Sequence, residues 1–344
     1  MPDPSSPGFV VQQSFPTPRP TTNPYIVMLG RSLAALEGVE LRTFSWRRAL
    51  LRRCDVFHVH WPEILVAGQS PLKALVRQVL FLLLLARLRL TRTPLVRTVH
   101  NLELPQGISR CEVALLRLAE RLTTLRIRLN ESTEVAAGRP AELIVHGHYR
   151  DWFARFPAAE VVPGRVTFFG LVRRYKGVER LTEVVAATPD DRIEGGLSLH
   201  VAGRPSSDEL ADTLRRTAGT DPRVHLRLEF LDDADLVVEV TAAELVVLPY
   251  REMHNSGGAL TALSLSRPVL VPANDVTRAL ADEVGPGWVW TYDGELESAD
   301  LVGALHGVRA RGDVPPPDLS ARDWDAAGRA HLAAYRRAVA LARS

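Results

Sequence analysis

A chain of 344 residues is longer than one hydrophobic core readily serves and suits two domains of ordinary size. With 46% hydrophobic and 24% charged residues it has the balance of a globular protein, and a formal net charge of +2 is too small to make nucleic acid its main partner. Two cysteines, Cys54 and Cys111, each inside an apolar pattern, predict buried thiols in a reducing compartment and argue against a disulfide or a metal site. The N-terminal stretch MPDPSSPGF has no basic region followed by an apolar core, so no signal peptide is expected and the location expected is cytoplasmic.

From end to end, apolar runs of strand length alternate with longer amphipathic runs, the pattern of an α/β chain whose parallel sheets are joined by crossover helices. In the first half the pattern predicts strands at 9–11, 39–44, 56–60, 95–100, 125–129 and 143–146, with helices at 24–36, 71–90 and 110–122. The helix at 71–90 contains VLFLLLL, flanked by Arg77, Arg87, Arg89 and Arg92. That apolar run is far short of the roughly 20 residues a bilayer span needs. It reads first as a helix packed in a core, and second as a basic-edged helix in peripheral contact with an anionic membrane surface.

Two prolines and a glycine in RFPAAEVVPG, residues 155–164, interrupt the alternation. The second half predicts strands at 166–170, 197–202, 224–230, 245–249, 269–272 and 289–291, with helices at 177–187, 207–218, 234–242, 257–265 and 276–284. A last helix at 324–341 follows the proline run at 315–317. The expected organisation is a doubly wound domain over 1–155, a second over 165–315, and a C-terminal segment, 318–344, that crosses back to the first.

Ligands of open parallel sheets bind beyond the carboxyl ends of the strands. Three such places in the second half are unusual. GLVRRYKG holds Arg173, Arg174 and Lys176, the last being one of only two lysines in the chain. Gly203-Arg204-Pro205 follows a later strand, and REMHNSGGAL, with Asn255, Ser256, Gly257 and Gly258, opens a helix after LVVLPY. Small residues at a helix start let free backbone amides approach an anion. Together with cationic side chains on the same sheet edge, they describe a pocket for a diphosphate. The cluster Asp232-Asp233-Ala234-Asp235 reads as a helix cap and not as a metal motif. The histidines of HVHW and HGHY lack metal-ligand spacing, so no metal is expected.

The blocks FFGLVRRYKGVERLTEVV, LHVAGRP, LEFLDDADLVVEVTAAELVVLPY and NSGGALTALSLSRPVLVP, in that order and spacing, resemble the nucleotide-sugar domain of GT-B glycosyltransferases of the family 4 type. DVFHVHWPE and PLVRTVHN stand where such enzymes hold their acceptor. The resemblance covers nearly the whole chain. It implies the GT-B fold, two Rossmann-like doubly wound domains facing a cleft, with donor-binding residues Arg173, Arg174, Lys176, Gly203, Arg204, Phe230, Leu231, Asn255, Ser256, Gly257, Gly258 and Thr261.

Retaining members of that family carry two glutamates eight positions apart, at places held here by Met253 and Thr261, with Glu252 one residue away. The NSGG form instead resembles bacterial exopolysaccharide β-mannosyltransferases that use GDP-mannose. That likeness implies an inverting, metal-independent enzyme with no cofactor, moving a hexose, mannose favoured, to a glycan or lipid-linked glycan at the inner face of the cell membrane. Inversion needs a base for the acceptor hydroxyl. Glu63, just past the strand of HVHWPE, is the expected base, with His100 as sugar ligand or alternative base. Asn23, His60, Trp61, Asn101, His148 and Tyr149 are expected to line the acceptor side. The competing readings are a retaining family 4 enzyme, a GT-B epimerase-like enzyme acting on a free sugar, and a non-catalytic sugar-nucleotide-binding or assembly subunit.

Overall fold

The computed structural model describes residues 8–19, 21–101, 103–105, 107–251 and 253–343. Most of MPDPSSPGF, through Pro7, lies outside the described residues, and so does Glu252. The described chain forms two compact units. One runs to Gly147 and resumes from Arg322; the other is His148–Ala321.

In the first unit, β1 (Phe9–Gln13), β2 (Val39–Arg42), β3 (Val56–Val59), β4 (Leu95–Val99), β5 (Thr123–Arg128) and β6 (Ala141–Leu143) form one sheet in the order β2-β1-β3-β4-β5-β6. Every pairing is parallel. Strand order reverses between β1 and β3, so their carboxyl ends frame a crevice. The strand expected at 143–146 lies instead at Ala141–Leu143, because the Arg126–Arg128 edge of β5 pairs with those residues. LIVH is apolar because Ile144 and His146 are buried beyond the strand end.

The crossover helices begin where their sequences supply caps. Ser70 accepts from the backbone of Lys73 ahead of Pro71 at the first helical position of Pro71–Leu90. Ser109 and Glu112 close a reciprocal capping box on Arg110–Leu122. Cys111 is exposed on that helix and Cys54 is half-buried, which corrects the expectation of two buried thiols; the first turn of an amphipathic helix leaves residue 111 on the solvent side. The C-terminal helix, Trp324–Arg343, packs on helix Pro24–Ala34 and over β3, β4 and β5. The Trp324 ring lies where a Cβ on Gly147 would be, 2.4 Å away, and Tyr335 is fully buried.

Helix Pro71–Leu90 sends Phe81, Leu84, Leu85 and Leu88 into the core with Phe57, Leu95 and Leu116. This is the core reading of VLFLLLL, but it accounts for only one face. No described helix is long and apolar enough to cross a membrane.

The second unit repeats the architecture with β7 (Arg165–Phe169), β8 (Ser198–Ala202), β9 (Val224–Arg227), β10 (Leu245–Val247), β11 (Val269–Pro272) and β12 (Val289–Tyr292), ordered β12-β11-β10-β7-β8-β9 and parallel throughout. The chain winds outward from β7 in one direction and from β10 in the other, so the switch point lies between these two strands. β9 ends at Arg227, which leaves Phe230 and Leu231 in the connection to helix Asp233–Thr241.

Candidate functional site

At the carboxyl end of β7 the chain passes through Gly170, bridges Val172 to Pro205, and makes a single tight turn over Arg174–Lys176 before helix Val178–Ala187. Gly177, between turn and helix, has φ 65°, and a Cβ there would lie 2.2 Å from the Pro249 carbonyl beyond β10. A side chain would therefore separate the two loops at the switch point. Across it, Ser256 caps helix Gly257–Ser264, its hydroxyl accepting from the Ala259 amide at 3.0 Å. The first-turn amides of that helix carry its positive dipole end.

Lys176 is half-buried in this place. Its ammonium lies 5.0 Å from the Tyr250 ring centroid and 5.8 Å from that of Phe168, and it makes no ion pair among the described residues. Burial, with Arg173 nearby, lowers its pKa to about 8. A cation held over aromatic faces without a carboxylate is prepared for an anionic ligand. Arg173 is exposed beside it. Arg174 points elsewhere, into a 2.9 Å ion pair with Glu209 of helix Asp208–Ala218.

The other residues expected at the donor site lie at the same sheet edge in different settings. Gly203 closes against β7, for a Cβ would fall 1.8 Å from the Gly170 carbonyl, and Arg204 beyond it is exposed. Phe230 is 61% exposed, a large apolar ring in a connection, while Leu231 is buried. Asp232 caps the next helix by accepting from the Asp235 amide at 2.9 Å. Asn255 sits in the loop before the Ser256 cap. Met253 and Thr261, where retaining relatives place glutamates, are 5% and 7% exposed. Glu252 falls outside the described residues.

In the first unit the strand ends carry histidines. His58 and His60 leave β3 on one face, as strand alternation requires. His58 is fully buried, with Tyr335 Oη 2.7 Å from Nδ1 and Thr98 Oγ1 2.8 Å from Nε2. His60 has Gln13 Oε1 3.2 Å from Nε2 and His100 Nε2 3.2 Å from Nδ1. The Trp61 ring stacks on His100 with centroids 4.2 Å apart and planes 20° apart, and Tyr25 meets His100 edge-on at 5.2 Å. Burial pushes the His60 pKa down to about 3 and holds that of His100 well below the ordinary range.

Both imidazoles are therefore neutral at pH 7, and the chain of contacts sets their tautomers. Gln13 Oε1 can only accept, so His60 Nε2 carries its proton and His60 Nδ1 accepts from His100 Nε2. His100 Nδ1 is left as the unprotonated nitrogen.

Beside this pair, His60, Trp61, Glu63, Arg97, Asn101 and Arg126 contribute to the wall of a cavity of 380 Å³. Glu63 begins the short helix Glu63–Val66, and burial raises its pKa above the usual carboxylate range. Glu120 sits between Arg97 and Arg126, accepting from Arg126 Nε at 2.6 Å. Asn23 is not in this wall: its Oδ1 accepts from the Tyr25 amide at 3.0 Å and caps helix Pro24–Ala34. His148 and Tyr149 are not there either. Both belong to the second unit, where the Tyr149 hydroxyl lies 3.4 Å from where a Cβ on Gly257 would be.

Gln13, Arg97, Glu120 and Arg126 escaped the sequence reading. The available signal was the pair of arginines inside the strand sequences LVRTV and TTLRIR, since a charge in an apolar strand needs a reason.

The chain is 44% identical over 337 residues to a protein of Xanthomonas campestris pv. campestris named GDP-mannose:glycolipid 4-beta-D-mannosyltransferase, covering 97% of this chain and 94% of that one. A second protein of that name and pathovar matches equally. No protein-family model matches. Among solved structures, Anabaena Alr3699/HepE in complex with UDP superposes with a TM-score of 0.57 at 14% identity, over 98% of this chain and 97% of that one. The catalytic domain of starch synthase IV from Arabidopsis thaliana, bound to ADP and acarbose, gives 0.61 at 11% identity, over 97% and 100%. AviGT4, a glycosyltransferase involved in avilamycin A biosynthesis, gives 0.56 at 15%, over 96% and 98%. Likeness at such low identity concerns the fold, and these folds are GT-B.

Proposed function

The chain belongs to the glycosyltransferase family of the GDP-mannose:glycolipid 4-β-D-mannosyltransferases, and from that premise we propose that it transfers mannose from GDP-mannose to a lipid-linked glycan, with inversion and without a metal ion. The observation that carries the reading is Lys176, a half-buried cation that pairs with no carboxylate among the described residues, at the β7/β10 switch point where helix Gly257–Ser264 also opens. Phosphate oxygens are the ligand that both features favour.

In the proposed reaction an acceptor hydroxyl oxygen forms a bond to C1 of mannose as the bond from C1 to the phosphate oxygen breaks. GDP leaves, and the hydroxyl proton passes to Glu63. A carboxylate made more basic by burial is suited to that role. His100, its ring held by stacking on Trp61, contacts the transferred sugar. The leaving diphosphate gathers charge that Lys176, Arg173 and the Gly257 and Gly258 amides stabilise, so the chain itself supplies the electrostatic role a metal plays elsewhere. Phe230 offers the guanine a face on which to stack. Inversion is supported by Met253 and Thr261, which place no carboxylate where retaining relatives have one. An α-linked nucleotide sugar yielding a β-mannoside is in any case an inversion at C1.

A lipid-linked acceptor brings the reaction to a membrane surface, with the nucleotide sugar drawn from the cytoplasm. The test is incubation with GDP-mannose and a lipid-linked oligosaccharide acceptor, with and without a chelator, and assignment of the product anomer from its one-bond C1–H1 coupling. A β-mannoside formed at equal rate in chelator is expected. An α product would refute inversion, and loss of activity restored by a divalent cation would refute metal independence. Transfer from other nucleotide sugars but not from GDP-mannose would refute the donor assignment.

A further inference from the structure

The outer face of helix Pro71–Leu90 is apolar and uncovered. Leu72, Leu75, Val76, Val79, Leu82 and Leu83 recur at helical spacing, and each is 48–71% exposed; Leu90 extends the row at 84%. The row runs about 27 Å along the helix. A groove continues it, walled by Trp46, Ile64, Leu72, Val76 and Leu80, and Leu51 on the neighbouring helix Trp46–Leu51 is 73% exposed. A contiguous apolar surface of this kind on a folded protein calls for a partner.

The charge around it identifies the partner. From Trp46 to Arg92 the chain carries nine cations, Arg47, Arg48, Arg52, Arg53, Lys73, Arg77, Arg87, Arg89 and Arg92, against two acids, Asp55 and Glu63, although the whole chain has a net charge of only +2. None of the nine forms an ion pair with a carboxylate among the described residues. Arg77 donates to the Ala67 carbonyl at 2.6 Å and Arg87 to the Ala49 carbonyl at 2.9 Å, so these two tie the short helices to the long one while keeping their charge. Arg47, Arg48, Arg52, Arg53, Lys73, Arg89 and Arg92 are exposed.

We infer that this face docks on a lipid bilayer containing anionic headgroups, with helix Pro71–Leu90 lying in the interface plane and its leucines and valines entering the acyl boundary. An apolar stripe edged with arginine and lysine is the pattern of an interfacial helix, and the excess of cations matches the negative potential of an anionic leaflet. A second copy of this chain would bring nine more cations against the first nine, which disfavours self-association through this face. The short helix Glu63–Val66 turns Glu63 into the cavity beside His60 and Ile64 into the apolar groove. If the proposed function holds, docking therefore presents the cavity to a lipid-anchored acceptor. The docking itself does not depend on that function.

The test is flotation of the full chain with vesicles of phosphatidylcholine alone and of phosphatidylcholine with phosphatidylglycerol. Binding to the second and not the first is expected, weakened by salt. It should fall by about tenfold or more in Leu75→Glu/Val79→Glu/Leu82→Glu and in Arg47→Gln/Arg52→Gln/Arg89→Gln. All six side chains are solvent-exposed, and circular dichroism with melting confirms that each variant is folded. Absence of binding, equal binding to both vesicles, or binding unchanged by the variants would overturn the inference. So would a dimer in sedimentation velocity that dissociates in the triple glutamate variant. Because the readout is flotation, its failure leaves the mannosyltransferase reading standing, and the reverse also holds.

Discussion

His60 Nδ1 and His100 Nε2 lie 3.2 Å apart, and Gln13 on the far side of His60 decides which of them holds the proton. Gln13→Leu keeps the volume but removes the acceptor for His60 Nε2, so the tautomer of His100 is no longer fixed. The expected result is a fall in kcat of about tenfold with KM for GDP-mannose unchanged, against about a hundredfold or more for His100→Ala. A variant that melted earlier but kept the wild-type kcat would show that Gln13 is only structural.

Glu63 titrates above the usual carboxylate range because burial penalises its ionised form. As base it must be ionised, so kcat/KM should fall as pH drops through that raised pKa, and Glu63→Gln should remove this limb along with at least about a hundredfold of rate. Linkage gives a second readout with its own sign. Where the folded state holds the proton more tightly than the unfolded one, stability declines as pH rises from the unfolded pKa to the folded one. Glu63→Gln should lack that decline in melting measured across the same interval.

Lys176, with its pKa near 8, loses its charge in the free protein as pH rises through that value. GDP binding should weaken by up to about tenfold per pH unit above it and be accompanied by proton uptake, seen by calorimetry in buffers of different ionisation enthalpy. Lys176→Met should abolish the GDP-induced thermal shift and raise the melting temperature of the free protein, since it removes a half-buried charge that pairs with no carboxylate among the described residues. Arg174→Met should leave GDP binding near wild type, because Arg174 is engaged by Glu209.

Gly177→Ala should be harmful on its own. The new Cβ meets the Pro249 carbonyl, and the left-handed φ disfavours any side chain. A loss of about 2 kcal/mol or more in denaturant unfolding is expected, together with weaker GDP binding. Gly294→Ala, also at positive φ but with nothing near its Cβ, should cost only about 1 kcal/mol and leave binding intact. Equal effects at the two positions would refute the role given to loop closeness.

Much of this architecture was legible because local signals agreed. Ser70 with Pro71, and Ser109 with Glu112, announce helices whose apolar spacing then confirms them. Helix Ser298–Ala310 was missed, although Glu297 and Asp300 form a reciprocal cap. Gly303 and Gly307 lower its helical character, and Gly307 is there because the Trp290 ring lies 2.1 Å from where a Cβ would be. That reason is tertiary and invisible in a window of sequence. Helices Trp46–Leu51, Glu63–Val66 and Arg150–Phe153 were missed because one turn or so carries no measurable period.

The site divides in the same way. Residues that follow strands could be placed at the sheet edges from topology alone, so the positions of Lys176, Gly257, His60 and Glu63 were within reach. Gln13, which acts from inside a strand, was not. Asn23 was nominated for a ligand and serves as a helix cap, and no sequence feature separates those two uses of a loop asparagine. Tyr149 was expected, with His148, on the acceptor side. The second unit begins one residue before it, at His148.

The C-terminal helix Trp324–Arg343 supplies Tyr335, whose hydroxyl lies 2.7 Å from His58 Nδ1 and accepts from Gln13 Nε2 at 3.3 Å. The groups that orient the imidazoles of the first unit are thus drawn from positions 322 residues apart, Gln13 and Tyr335. The second unit, His148–Ala321, takes no residue from that helix. If the proposed function holds, a chain cut after Ala321 should therefore still bind GDP but fail to transfer mannose.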